Sequence, residues 1–232
     1  MTTATLKPIQ LYTLATPNGQ KVSIALEEME LPYEAHRIEI GEGDQFKPDF
    51  VAINPNSKIP AIVDPNGPIG GEEAGDTAPL NIMESGAILL HLAERSGKLL
   101  PADPRLRSET MQWLFFQMAG VGPMFGQFGH FFKFAQSSCD HPYPTERYTK
   151  EAKRLLAVLE ERLAGRDYLV GDYTIADIAT FPWVNCLEEF YDATAQLGLD
   201  DFPNVQAWRA RCNARPAVQA GRKVCGWDNE DD

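Results

Sequence analysis

Short apolar runs alternate with helical periodicity through the first 100 residues. Residues 9–15 (IQLYTLA) predict a strand, and beyond the TPNG turn the segment Lys21 to Glu30 sets Val22, Ala25, Leu26 and Met29 on one helical face. Glu34 to Ile40 alternates outward polar with inward apolar positions, as a half-buried strand does. IPAIVD, residues 59–64, is a short β-branched run stopped by PNG. The turn-rich stretch 65–79 predicts an exposed loop with neither a helix nor a central strand in it. Leu80 to Met83 predicts another strand, and Ser85 is placed to cap a helix carrying Ile88, Leu89 and Leu92. The order is β-α-β, loop, β-β-α.

From Asp103 onward the pattern becomes helical almost throughout. Glu151 to Leu163 carries Ala152, Leu155, Leu156, Leu159 and Leu163 along one stripe. Thr174 followed by Asp177 predicts a helix N-cap, and Val205, Trp208 and Cys212 mark a further short helix. Glycines 120, 122, 126 and 129 interrupt helix propensity and suit close helix packing or a widened cleft. Residues 226–232 (GWDNEDD) predict a frayed acidic tail. The change of pattern near PADPR, residues 101–105, divides an α/β domain at 1–100 from an all-helical domain at 101–232.

Composition narrows the function classes. With 232 residues, 44% hydrophobic and 23% charged, the chain is long enough for a real core and is not expected to be disordered. The formal charge of 21 − 33 = −12 argues against a surface that collects nucleic acid or anionic lipid. No run of about 20 apolar residues occurs, and the first residues lack a signal-peptide pattern, so a cytoplasmic protein is expected. Cys139, Cys186, Cys212 and Cys225 are widely spaced, as reduced thiols are, and neither they nor the histidines form a metal-binding interval. A nucleotide cofactor has no GxGxxG or Walker motif to support it.

Candidate chemistry gathers at the turns. Thr16, Pro17, Asn18 and Gly19 form either an ordinary helix cap or a place where a hydroxyl, an amide and backbone N–H groups stabilise a thiolate. The earliest cysteine in the chain is Cys139, so a reactive sulfur at this turn would have to arrive with a ligand. In NPNSKIPAI, Pro60 is either a plain strand-start proline or half of a cis Ile59–Pro60 bond that offers Ile59's backbone to an extended peptide. Glu84–Ser85 reads as a cap beside a surface acid, or as a clamp in which Ser85 takes a carboxylate and Glu84 an ammonium. Arg147 reads as solvent-facing or as a ligand contact, and His130, among aromatics, as a core or wall residue before a catalytic one.

Taken together, TPNGQKVSIALEE, GDQFKPDFVAINPNSKIPAIVD, ESGAILLHLAE, GPMFGQFGHF, ERYTKEAKRL and GDYTIADIATFPW resemble the glutathione-transferase superfamily. The resemblance covers roughly residues 9–220 and is nearest to the nu-like bacterial branch, which includes glutathione-dependent disulfide-bond oxidoreductases. It implies a thioredoxin-like N-terminal domain, an all-helical C-terminal domain, a homodimer, and glutathione as cosubstrate with no metal. Thr16 and Asn18 then resemble the residues beside the glutathione sulfur, Ile59 the cysteinyl contact, and Glu84 and Ser85 the γ-glutamyl contacts. Gln45 and Lys58 resemble contacts near the glycyl end, Arg147 a basic residue reaching in from the helical domain, and Asp177 a capping acid that serves folding. Tyr12 and Thr13 are less attractive as catalysts, and Phe125, Phe128 and the phenylalanines of 131–134 are expected to wall the cleft. The implied reaction is reduction of a small or glutathionyl disulfide, with attack on an electrophile or hydroperoxide, or glutathione binding without catalysis, as the alternatives.

Overall fold

A computed structural model describes residues 6–227, so the expected acidic tail lies outside the described residues beyond Trp227. The chain folds into two compact units. One is formed by the chain up to Leu100 together with the stretch from Pro216 onward, the other by Pro101–Arg215.

The first unit runs β1 (Ile9–Thr13), α1 (Pro17–Met29), β2 (Tyr33–Arg37), α2 (Pro48–Ile53), β3 (Ala61–Asp64), α3 (Gly71–Ala74), β4 (Leu80–Met83) and α4 (Ser85–Ser96). The strands form one sheet in the order β2-β1-β3-β4, with β1 parallel to β2 and the other pairs antiparallel. This is the thioredoxin-like arrangement. Ile9, Leu11, Val22, Ala25, Leu26, Ile62, Ile88, Leu89 and Leu92 are all buried, so the periodic faces read from the sequence do meet in one core. Phe50 of α2 closes the other side of the sheet with Ile38 and Ala61. Asp64, fully buried at the end of β3, binds His91 at 2.8 Å and Arg95 at 2.6 Å on α4 and so ties sheet to helix.

Three local expectations are corrected. Ala35 is exposed and the strand ends at Arg37, because β2 is an edge strand whose outer positions meet solvent instead of a second packed layer. The 65–79 stretch does hold a helix, the single turn α3, at whose start Gly71 is buried: a Cβ there would lie 2.2 Å from the Asp76 carbonyl oxygen. Ser85 is the first residue inside α4 and not its cap. The cap position is Glu84, whose carbonyl accepts from Ile88 N–H at 2.9 Å and whose side chain makes no capping bond.

The second unit is helical: α5 (Pro104–Phe116), α6 (Gly122–Gly129), α7 (Pro142–Leu163), α8 (Ile175–Glu189), α9 (Thr194–Leu197) and α10 (Pro203–Asn213), with π-helical turns at Gln117–Val121 and His130–Phe134 flanking α6. The stripe on α7 is buried as its spacing requires. Glycine at 129 permits a close approach: a Cβ there would fall 2.0 Å from the Tyr191 ring. At the start of α8, Thr174 and Asp177 form a complete capping box. Asp177 also accepts from Leu169 N–H and from Trp208 Nε1, each at 2.9 Å, so one carboxylate joins the preceding loop, α8 and α10. Past this unit, α11 (Pro216–Gly221) returns to α1, where Ser23 Oγ donates to the Gly221 carbonyl at 2.7 Å. Among the described residues, no helix is long and apolar enough to cross a membrane.

Candidate functional site

Strand register brings the chemically interesting turns of the first unit to one end of its sheet. Tyr12 is paired with Ala61, and Ala61 with Met83. Because β1 leaves this end while β3 enters it and β4 leaves it, the β1–α1 turn with Thr16 and Asn18, the Ile59–Pro60 entry and the Glu84–Ser85 exit all depart from the same edge. Thr13 is paired with Arg37, so the segment beyond β2 that carries Gln45 starts from there too.

Thr16 is the N-cap of α1: its Oγ accepts from Gly19 N–H at 3.3 Å, and Pro17 follows at the first helical position. A threonine hydroxyl that accepts in this way retains its O–H for donation, and both Thr16 and Asn18 are half-buried at the turn. Gly19 is required for the tightness of the turn, since a Cβ would stand 1.9 Å from the Leu14 carbonyl oxygen. Thr13 is fully buried and donates its hydroxyl to the Leu14 carbonyl at 3.3 Å. Tyr12 stacks on His36 with ring centroids 4.7 Å apart. Of the hydroxyls near this turn, the one standing at the mouth of a helix is Thr16.

Ile59–Pro60 is cis, as the peptide-binding alternative requires. The ladder begins only at Ala61, so Ile59 lies beside the sheet edge and outside its pairing, with its side chain packed on the Phe50 cluster. The approach is held by Asn54, buried, whose Nδ2 donates to the Lys58 carbonyl at 2.6 Å and whose Oδ1 accepts from Asn56 N–H at 2.9 Å. The Lys58 side chain extends into solvent. Gln45 rides on a 3-10 turn, Asp44–Phe46; its Nε2 donates to the Ile40 carbonyl at 3.3 Å, while its buried Oε1 has no hydrogen-bond partner among the described residues. As placed, Gln45 offers an acceptor that calls for an N–H.

At the third turn, Glu84 is exposed and sits at φ +70°, ψ 115°, a conformation costly for any residue with a Cβ. Ser85 beside it is buried at the N-terminus of the 12-residue α4. Below it lies a residue the sequence reading passed over. Lys21 of α1 is 1% exposed, and its Nζ donates to Ser85 Oγ at 3.3 Å. Burial pushes the Lys21 pKa down to about 7, with the Glu84 carboxylate pulling the other way. Its signal was faint: a lysine flanked along the helix by Val22, Ile24 and Ala25, all buried, has no polar face left to occupy.

Arg147 belongs to the second unit, on α7, where its half-exposed guanidinium lies 3.8 Å from Glu151. Two expectations there are corrected. Phe125 and Phe128 wall nothing open, being fully enclosed in that unit's own core, and Phe132 stacks on Phe128 at 5.0 Å. His130 is exposed, its ring edge against Phe131, because the π-helical turn rotates it outward from the packed side. A further neighbour of the β1–α1 turn is remote in sequence: the Cys225 carbonyl accepts from Ala15 N–H at 3.0 Å. Cys186 is a core thiol, its pKa pushed up to about 12 by burial. Among the described residues, no cluster of three or more His, Cys, Asp or Glu is arranged to hold a metal ion.

Known proteins share this pattern. Residues 15–95 match the family model of the glutathione S-transferase N-terminal domain, and residues 121–216 that of the glutathione S-transferase C-terminal domain. Disulfide-bond oxidoreductase YfcG of Escherichia coli K12 is 46% identical over 211 residues, covering 90% of this chain and 92% of that protein. A glutathione transferase from Pseudomonas putida, crystallised with one glutathione disulfide bound per subunit, superposes with a TM-score of 0.89 at 52% identity over 94% of this chain and 91% of that one. A family member from Pseudomonas fluorescens Pf-5, solved with two glutathione bound, gives a TM-score of 0.88 at 52% identity, covering 97% and 95% of the two chains. The sheet-edge turns, the helical second unit and these likenesses agree, and the chain belongs to the glutathione S-transferase family.

Proposed function

We propose that this protein is a glutathione-dependent thiol–disulfide oxidoreductase that reduces small or glutathionyl disulfides. The observation that carries the reading is the convergence of the Thr16 cap, the unladdered Ile59 and the Glu84–Ser85 corner on one sheet edge. That edge offers an extended tripeptide what its parts require. Ile59 presents backbone groups to the cysteinyl unit, Ser85 and the α4 N-terminus suit an α-carboxylate, and Glu84 suits an α-ammonium. Gln45 Oε1, buried and without a partner among the described residues, takes a peptide N–H, and Lys58 supplies positive charge toward the glycyl carboxylate.

Thr16 and Asn18 then donate to the glutathione sulfur. Hydrogen bonds to the ionised form lower a thiol's pKa and raise the thiolate fraction at neutral pH. The thiolate attacks one sulfur of the disulfide, forming a glutathionyl mixed disulfide and expelling the other sulfur as a thiolate. A second glutathione thiolate attacks the mixed disulfide at the glutathione sulfur, releasing glutathione disulfide and the second product thiolate. The two protons lost by the glutathiones end on the two product thiols. Relatives crystallised with glutathione disulfide or with two glutathiones support this stoichiometry, as does the name of the Escherichia coli relative. A homodimer of the nu-like branch, working in the cytoplasm, completes the reading.

Steady-state rates with a glutathionyl disulfide and with an aryl halide, compared for wild type, Thr16→Ala and Asn18→Ala, test it. Disulfide turnover far above conjugation and depressed in both variants is expected. Conjugation as the dominant activity, or disulfide turnover no faster than free glutathione achieves, would overturn it.

A further inference from the structure

Lys21 is a buried cation that takes no part in the thiol–disulfide exchange itself. A lysine whose neighbours along the helix are Val22, Ile24 and Ala25 occupies a place that an apolar side chain would fill without desolvating an ammonium. Two adjacent residues at one corner of the sheet edge act on it. Its Nζ donates to Ser85 Oγ at 3.3 Å, and the carboxylate acting on its charge is that of Glu84. The corner itself is held in an unfavourable backbone conformation at Glu84. A cation buried beneath two adjacent polar residues, one on a helix N-terminus and one strained, is arranged to act through them.

We infer that Lys21 is a positioning residue of the glutathione site: from beneath the β4–α4 corner it orients the Ser85 hydroxyl and lends positive charge to the place where the γ-glutamyl α-carboxylate binds. The inference rests on the assignment of that end of glutathione to Glu84 and Ser85. An ammonium has donors only, so Ser85 Oγ serves Lys21 as an acceptor, and the hydroxyl is held in one orientation by a group that solvent does not reach. A ligand carboxylate on Ser85 then lies one hydrogen bond from a buried positive charge, where low dielectric makes the attraction large. The nearby Glu84 carboxylate faces the ligand's ammonium, so the subsite matches both charges of an amino-acid head group and discriminates against a peptide lacking either.

Binding is measured by calorimetry for glutathione and for its γ-aminobutyryl analogue, which lacks only the α-carboxylate, with wild type and Lys21→Met. Wild type should prefer glutathione by about 30-fold, and Lys21→Met should reduce that preference to about threefold while leaving analogue affinity within about twofold. Equal weakening of both ligands, or no weakening, would overturn the inference and leave Lys21 a purely structural residue. Wild type binding both ligands alike would overturn the assignment of the γ-glutamyl end itself, and the inference with it. Carbon NMR of Lys21 Cε in unmodified protein gives a second readout that needs no substitution. Glutathione should move its titration to higher pH and the analogue should not; a midpoint indifferent to glutathione would overturn the inference.

Discussion

Two of the buried charges, Asp177 in the second unit and Lys21 in the first, are handled in opposite ways. Asp177 in the second unit receives hydrogen bonds from Leu169 N–H, Thr174 N–H, Thr174 Oγ1 and Trp208 Nε1, at 2.9 to 3.2 Å. Even so, burial is the larger influence and holds its pKa above the usual carboxylate range. Every one of those donors is internal to the unit, so the charge serves its architecture. Lys21 in the first unit is as deeply buried, and its hydrogen bond to Ser85 lies where a ligand is expected. A buried charge hydrogen-bonded on all sides by the core around it is a folding device, whereas one bonded to a corner where a ligand is expected is available to binding.

The largest expected effect is at Asp177. Replacing it with alanine strands four donors in the core of the second unit and should lower the unfolding free energy by about 3–5 kcal/mol, measured by urea denaturation. Kinetic constants of the protein that remains folded should not change. A loss below about 1 kcal/mol would remove the contrast between the two charges.

Lys21→Met should behave differently, and through pH. A base whose folded pKa is lowered carries fewer protons folded than unfolded between the two pKa values, so its contribution to stability rises with pH across that window. The window here runs from about 7 to 10.5. The stability of wild type minus that of Lys21→Met should therefore increase by about 2 kcal/mol from about pH 7 to about pH 9. A flat difference would mean that Lys21 keeps its proton in the fold as readily as in solvent.

The smallest expected effect is at Cys225, whose backbone touches the β1–α1 turn. Cys225→Ser should leave disulfide turnover within about twofold of wild type if the reacting sulfur arrives with glutathione. A loss of about 100-fold would assign the chemistry to a protein thiol.

Much of this was readable before folding, for identifiable reasons. Strand ends and helix starts are punctuated by Thr-Pro, Ile-Pro and Glu-Ser, and the α7 stripe and the Thr174–Asp177 box follow from helical spacing alone. Such signals depend on neighbours within one or two turns. Lys21 escaped because its burial depends on α4, 64 residues away at Ser85, and a lysine counts as polar in any periodic pattern. Cys225 escaped for the same reason at greater separation. Ser85 was misread as a cap because the backbone at Glu84 turns one residue earlier than the side-chain preference of serine suggests. The glycines of α6 are read from sequence as suiting either close helix packing or a widened cleft; in the fold the first holds, since Tyr191 and Trp183 press closest there.

The central claim is that the Thr16–Asn18 turn keeps the glutathione sulfur ionised, and the ultraviolet titration of bound glutathione thiolate tests it most directly. The midpoint in wild type should fall one to two units below the value of about 8.5 for a free thiol, and Thr16→Ala and Asn18→Ala should each return it part of the way. A bound thiol that titrates like the free one, or a lowered midpoint that neither substitution moves, would contradict the account.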